Sequence, residues 1–207
     1  DIYYHDITSA ILATVVPANL IHLQHLCTHY FGCTPLVVGA PNVDLGINVL
    51  IDNPQELGAD RLCNAVAANE LFKAPIVVID FGTATSFDII DADGNYCGGI
   101  IAPGINLSLE ALHMGAAQLP RVAIERPKHV IGTGTVSAMQ SGIFWGYVSM
   151  VEGMTERIKV EIPGDLNIVA TGGLAPIFVD ATEAIGHWEQ NLTLLGLLSI
   201  YRRNQDS

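Results

Sequence analysis

Two short stretches hold the side chains best suited to chemistry in this chain: Gly58-Ala-Asp-Arg61 and Asp80-Phe-Gly-Thr-Ala-Thr85. Asp60 falls where a helix is predicted to begin. A carboxylate there caps free amides and is favoured by the helix dipole, which is the ordinary reason for an Asp-Arg pair. Gly58 and Ala59 add a second property, because two minimal side chains directly before Asp60 let a ligand approach the backbone closely. Asp80 closes the apolar run Ile76-Val-Val-Ile79, at the C-terminal end of a predicted strand, where open α/β sheets place ligand-binding groups. Thr83, Ala84 and Thr85 follow Gly82 in a tight turn. Its amides and hydroxyls suit phosphate oxygens, with a solvated hairpin as the plain alternative.

Three glycine-bearing stretches accompany these two. Gly98-Gly-Ile-Ile-Ala-Pro-Gly104 is a strand that turns into a helix, with glycines placed for a backbone approach. Ile131-Gly-Thr-Gly-Thr135 enters a long helix and presents free amides and the Thr135 hydroxyl at a positive dipole end, suited to a carboxylate or amide oxygen. Ala170-Thr-Gly-Gly-Leu174 ends a buried strand and starts a helix, as a nucleotide-binding glycine pair does. Each is a weak signal singly; together they outline a phosphate-handling cleft between two α/β halves. The tripeptide Asp80-Phe-Gly82 does not make the chain a protein kinase, since no His-Arg-Asp loop and no Val-Ala-Ile-Lys strand accompany it.

The elements that must position these residues alternate. Strands are predicted over Ala10 to Val16, Pro35 to Gly39, Asn48 to Ile51, Ile76 to Asp80, Ser86 to Asp91, Tyr96 to Ala102 and Asn167 to Thr171. Helices are predicted over Ala18 to Phe31, Asp60 to Phe72, Ile105 to Gln118, Thr135 to Lys159, Leu174 to Ile185 and Leu192 to Arg202. The alternation implies an α/β class with a largely parallel sheet, interrupted by hairpins around Gly82 and Asp93-Gly94-Asn95. Lys73-Ala74-Pro75 is the expected seam, dividing residues 1–74 from 75–207.

Composition narrows the function classes. Half of the 207 residues are apolar and 14% are charged, against about 25% in ordinary globular domains, so the chain is not a disordered one. A net charge of −12 with only nine Lys plus Arg disfavours nucleic acid and anionic lipid as partners. A phosphate ligand would then be held by backbone amides and metal ions. Cys27, Cys33, Cys63 and Cys97 form no C-x-x-C pair, and reduced, cytosolic thiols are the plain reading. His22, His25 and His29 share a segment with Leu20, Leu23, Leu26 and Tyr30, which favours an ordinary packed helix over a metal site. His129 to Val151 lacks Asp, Glu, Lys and Arg, yet its glycines and hydroxyls indicate a buried helix preceded by a turn. Gly142 and Gly146 are expected there as a close helix-packing pair.

Taken in order, Gly58-Ala-Asp-Arg61, Asp80-Phe-Gly-Thr-Ala-Thr85, Gly98 to Gly104, Ala116-Ala-Gln-Leu-Pro120 and Ala170-Thr-Gly-Gly-Leu-Ala175 resemble the motifs of type III pantothenate kinases. The resemblance runs from about Thr14-Val-Val-Pro17 to Leu192-Thr-Leu-Leu-Gly196. It implies the superfamily of actin, sugar kinases and heat-shock ATPases, with two ribonuclease-H-like domains and nucleotide in the cleft. It also implies ATP-dependent phosphorylation of pantothenate to 4′-phosphopantothenate, the first step of coenzyme A synthesis, by a cytoplasmic homodimer using Mg2+ and a monovalent cation, K+ or NH4+.

Carried over by position, the resemblance makes Asp60 the base that takes the pantothenate hydroxyl proton. Gly58, Ala59, Asp60, Arg61 and Thr135 would bind pantothenate, Thr83 would contact ATP phosphate, and Asp80 would bind the monovalent cation. This chain departs from the family pattern in three places. No Asp-x-Gly-Asn-Thr run is present, so the first domain is expected to be N-terminally incomplete, without its first phosphate loop. Ile51 stands where the family usually has a substrate-contacting tyrosine, and Thr133-Gly134 replaces Lys-Asn before Thr135, which is expected to loosen that helix entry. The alternatives are a non-catalytic regulatory relative of the transcription accessory type and a kinase for another small hydroxy acid.

Overall fold

Residues 3–115 and 119–205 are described by a computed structural model. In chain order the elements begin with β1 (Ile11–Leu12), α1 (Pro17–Leu26), β2 (Leu36–Val37), α2 (Ala59–Leu71), β3 (Ile76–Phe81), β4 (Ala84–Ile90) and β5 (Tyr96–Pro103). They continue with α3 (Ile105–Gly115), α4 (Thr135–Glu161), β6 (Asn167–Thr171), α5 (Ala175–Val179), β7 (His187–Trp188) and α6 (Leu192–Arg203). Two units emerge. One comprises Asp1–Lys73, Gly94–Cys97 and Asn191–Ser207; the other comprises Ala74–Asp93 and Gly98–Gln190. A unit edge thus falls between Lys73 and Ala74, while α6 and the segment Gly94–Cys97 group with the first unit.

In the first unit β1 and β2 pair in parallel, Ile11 with Leu36 and Leu12 with Val37. Its core is α2 against α6. The α2 run Leu62-Cys-Asn-Ala-Val-Ala-Ala68 is buried throughout, and its small residues admit close approach by a neighbour. Gly196 of α6 uses that room: a Cβ there would stand 1.9 Å from the Cys63 carbonyl oxygen. Asn64 is fully buried, and its Oδ1 accepts a hydrogen bond from Thr193 Oγ1 at 2.7 Å, so the polar group costs little. Three expectations are corrected here. Asn48 to Ile51 is not a strand but contributes one isolated bridge, Val49 to Tyr96. The predicted strand from Ala10 to Val16 shrinks to Ile11–Leu12. The helix carrying the histidines is only partly packed: Cys27, just past α1, is buried and Leu20 and Leu23 are half-buried, but no residue of α1 itself is buried, and Leu26 and Tyr30 are exposed.

The second unit is built on five strands in the order β5-β4-β3-β6-β7. The sheet is mixed rather than largely parallel: β3 runs antiparallel to β4 and parallel to β6, and β6 runs parallel to β7. Two residues between β3 and β4 permit only a hairpin, whereas the long excursion through α3 and α4 lets β6 return parallel to β3. The helix predicted over Leu174 to Ile185 stops at Val179, because Thr182 Oγ1 accepts the Ala184 N–H at 3.1 Å in a local turn, and the chain then forms β7. Phe178 of α5 stacks on Phe81 of β3 and Phe144 of α4, with ring centroids 5.2 and 5.4 Å apart. All three rings are buried, each such side chain contributing about 1.5–3 kcal/mol. The Phe of Asp80-Phe-Gly82 is therefore core.

α4 is half-buried, and Gly142 and Gly146 lie on its exposed face. Apart from the backbone of their own helix and their chain neighbours, no heavy atom lies within 4 Å of where a Cβ on either would stand, so within the described residues they do not serve the packing expected of them. Among the described residues no helix is long and apolar enough to cross a membrane.

Candidate functional site

Gly58, Ala59, Asp60 and Arg61 come together in the first unit as the N-cap and first turn of α2. Gly58 has no side chain to cap with, and the helix opens with the Leu62 N–H donating to the Gly58 carbonyl at 3.1 Å. Asp60 is exposed, and its Oδ1 accepts the Arg61 N–H at 2.8 Å. A Cβ on Gly58 would stand 2.6 Å from that same Oδ1, so the glycine keeps space open beside the carboxylate. The Arg61 guanidinium lies over the Tyr96 ring, 5.9 Å from its centroid. A functional group thus projects from a helix start whose body is immobilised by burial.

One turn further into α2, burial pushes the Cys63 thiol from about 9.0 up to about 12, the Asp60 carboxylate adding to the shift. The thiol stays protonated in the native state after the unfolded one has ionised, so this group weakens folding as pH rises from about 9 towards 12. Native stability is expected to fall there by up to about 1.4 kcal/mol per pH unit more than in Cys63→Ala. Denaturant titrations of both proteins at pH 8, 9 and 10 check this; parallel pH profiles would contradict it.

In the second unit the glycine stretches converge. Register pairs Asp80 with Thr171, which brings the C-terminal ends of β3 and β6 side by side. A Cβ on Gly172 would stand 2.5 Å from Asp80 Oδ1, and one on Gly82 would stand 3.4 Å from it. Gly172 has φ of +92°, a conformation side chains rarely adopt, so glycine is required there twice over. Gly104 closes the third side, since its Cβ would stand 2.0 Å from the Thr83 carbonyl oxygen. Tyr147 of α4 fixes that turn by donating to the Pro103 carbonyl at 2.7 Å and pairing with Ser108 Oγ at 2.7 Å. The Gly82 N–H donates to the Ala84 carbonyl at 3.0 Å, which leaves Thr83 exposed at the tip. Thr85 is buried, and its Oγ1 has no hydrogen-bond partner among the described residues. Of the two hydroxyls, Thr83 is the one open to a ligand.

Thr135 is exposed at the first position of α4. Ser137 Oγ accepts the Gly134 N–H at 3.1 Å, and Gly132 packs so tightly on the first turn that a Cβ would stand 2.3 Å from the Ala138 nitrogen. These contacts hold the entry that Thr133 and Gly134 were expected to loosen. Residues 116–118, within the motif Ala116 to Pro120, lie outside the described residues. Sequence reasoning missed Tyr96 as a neighbour of Arg61; the signal was an aromatic residue directly after the Asp-Gly-Asn turn. Among the described residues no group of three or more His, Cys, Asp and Glu could hold a metal ion, so the histidine segment forms no such cluster.

The family model for type III pantothenate kinase matches residues 2–157. The type III pantothenate kinase of Paramagnetospirillum magneticum is 63% identical over 199 residues, covering 96% of this chain and 76% of the relative. That of Rhodospirillum rubrum is 59% identical over 200 residues, covering 97% and 78%. Among solved structures, a protein described as a Baf family transcriptional activator from Campylobacter jejuni matches with a TM-score of 0.65 at 18% identity, covering 95% of this chain and 83% of that one. At that identity the likeness is one of fold.

Proposed function

Because the chain belongs to the type III pantothenate kinase family, we propose how its residues divide the work of moving the γ-phosphoryl group of ATP to pantothenate. The reaction yields 4′-phosphopantothenate and opens coenzyme A synthesis. Asp60 orients the pantothenate hydroxyl and takes its proton. A carboxylate is a weak base, but in a loose phosphoryl-transfer transition state the proton moves late, and orientation is most of the task. Gly58 and Ala59 give the substrate access to the backbone, Arg61 holds its carboxylate, and Thr135 contributes a hydroxyl. Thr83 contacts an ATP phosphate. What supports this division is the exposed carboxylate of Asp60 on a helix start cleared by Gly58.

A monovalent cation, K+ or NH4+, would be held at Asp80, where Gly82 and Gly172 leave the carboxylate a cradle that a Cβ would fill. Such an ion, with Mg2+, supplies positive charge for the phosphates, which suits a chain poor in basic residues. The proposed fold is two ribonuclease-H-like domains of the actin type. The exposed Gly142 and Gly146 of α4 support a homodimer, since small residues at that spacing admit a second helix closely. Four free thiols support a cytoplasmic setting.

The experiment is formation of 4′-phosphopantothenate from ATP and pantothenate by the full-length gene product, wild type against Arg61→Gln. The variant is expected to raise the KM for pantothenate by roughly 10-fold to 100-fold, the worth of one charged hydrogen bond, with the KM for ATP unchanged. An unchanged pantothenate KM would remove Arg61 from the site. Preference for another small alcohol would favour the hydroxy-acid kinase alternative.

A further inference from the structure

Thr83 stands exposed at the tip of the link between β3 and β4, and a side chain at such a tip is only as well placed as the backbone beneath it. That backbone rests on Gly104. A Cβ on Gly104 would stand 2.0 Å from the Thr83 carbonyl oxygen and 2.9 Å from that of Gly82, so the two backbones meet with no room for a side chain between them. Gly104 joins β5 to α3, and hydrogen bonds converge on the junction. The Ser108 N–H donates to the Gly104 carbonyl at 2.9 Å. The Tyr147 hydroxyl donates to the Pro103 carbonyl at 2.7 Å, and with its proton directed there it accepts from Ser108 Oγ at 2.7 Å. One oxygen thus ties the end of β5 to the first turn of α3, and it comes from neither element. Its ring is anchored in the core: Tyr147 is 8% exposed and lies beside Phe178 of α5, with centroids 6.4 Å apart. All of these residues belong to the second unit.

We propose that Tyr147 is a positioning residue for ATP: by tying Pro103 to Ser108 it holds Gly104 against the Gly82-Thr83 turn and so sets where the Thr83 hydroxyl meets a phosphate oxygen. This rests on the assignment of Thr83 to an ATP phosphate. A hydroxyl-to-phosphate hydrogen bond weakens steeply as its distance and angle depart from the optimum, so a small displacement of the turn is felt as lost affinity. Without the Tyr147 oxygen the Pro103 carbonyl loses its partner and the support beneath Thr83 slackens. In a chain with nine Lys plus Arg, such hydroxyl and amide contacts carry a larger share of phosphate binding.

The test is a double-mutant cycle in the full-length gene product, read as the KM for ATP. Tyr147→Phe keeps the ring and removes the oxygen; it is expected to raise that KM by roughly 3-fold to 10-fold, with the KM for pantothenate level. Thr83→Ala is expected to raise it by roughly 10-fold to 100-fold, since its bond is to a charged group. With Ala already at position 83, Tyr147→Phe should raise the ATP KM no further, because the hydroxyl it places is gone. An unchanged ATP KM in Tyr147→Phe, a pantothenate KM that rises alongside, or a full further rise in the double variant overturns the role of Tyr147. Should Tyr147→Phe not fold, Ser108→Ala removes one leg of the same tie and is held to the same outcomes. Thr83→Ala separates the two levels: if it raises the ATP KM while Tyr147→Phe does not, only the positioning role fails. If Thr83→Ala has no effect, both assignments fall.

Discussion

Asp60→Asn in the full-length gene product is expected to lower kcat for pantothenate phosphorylation by about 10²- to 10⁴-fold, the usual worth of a general base. The fold should be left unchanged. Asn preserves the Oδ1 that accepts the Arg61 N–H at 2.8 Å, and it preserves the volume beside Gly58. Asp60 is exposed, so no buried partner is orphaned by the exchange. What changes is charge and basicity alone. The two contributions can be separated by the substrate constants: loss of orientation raises the pantothenate KM, whereas loss of proton transfer lowers kcat with KM little altered. Thermal unfolding of both proteins controls for structure. A variant whose kcat stays within 10-fold of wild type would strip Asp60 of its role as base.

Much of this site was legible because its signals are local. β-branched runs ending in a polar residue mark a strand end, so Asp80 was placed correctly at the close of β3. Two small residues before an acidic one mark a helix start, and Asp60 duly lies in the first turn of α2. What stayed illegible was non-local. Nothing in the spacing from Gly104 to Thr83, or from Gly172 to Asp80, says that these residues touch; that follows from the register of β3 with β6 and from the tie between Tyr147 and Pro103. Tyr96 was hidden for the same reason, since its backbone partners are at positions 48 and 50.

Helical patterns misled where an element's apolar side has no described neighbour. Leu26 and Tyr30 have the look of a packing face yet are exposed, and Gly142 with Gly146 has the spacing of a packing pair yet faces open space. Apolar periodicity records that a surface wants cover; it does not say which part of a molecule, or which second molecule, provides it. The histidines on the same segment followed the same rule in reverse. His25 and His29 stack with centroids 5.3 Å apart, as neighbours one helical turn apart do, without assembling a ligand set among the described residues.

The largest stability effect is expected at Gly196, at the far end of the stretch that resembles the family, where the sequence offered no reason for a glycine in mid-helix. Glycine there costs about 1 kcal/mol against alanine in an isolated helix, so Ala would stabilise α6 were nothing opposite. The opposing group is the Cys63 carbonyl of α2, 1.9 Å from where the Cβ would stand, with the Cys63 Cα at 2.8 Å. These are backbone atoms of a buried helix and cannot rotate aside, so α6 must move outward. That movement would draw Thr193 from the buried Asn64, whose side-chain oxygen it satisfies at 2.7 Å. Overpacking by one methyl against fixed backbone costs roughly 1–3 kcal/mol or more, and loss of that buried hydrogen bond adds about 0.5–1.5 kcal/mol. Gly196→Ala is therefore expected to lose several kcal/mol of unfolding free energy, read as the shift in denaturant midpoint at constant slope. Because the collision falls on α2, whose first turn carries Asp60 and Arg61, the surviving native protein should bind pantothenate more weakly. A variant as stable as wild type would show that α2 and α6 do not approach as closely as their backbones indicate.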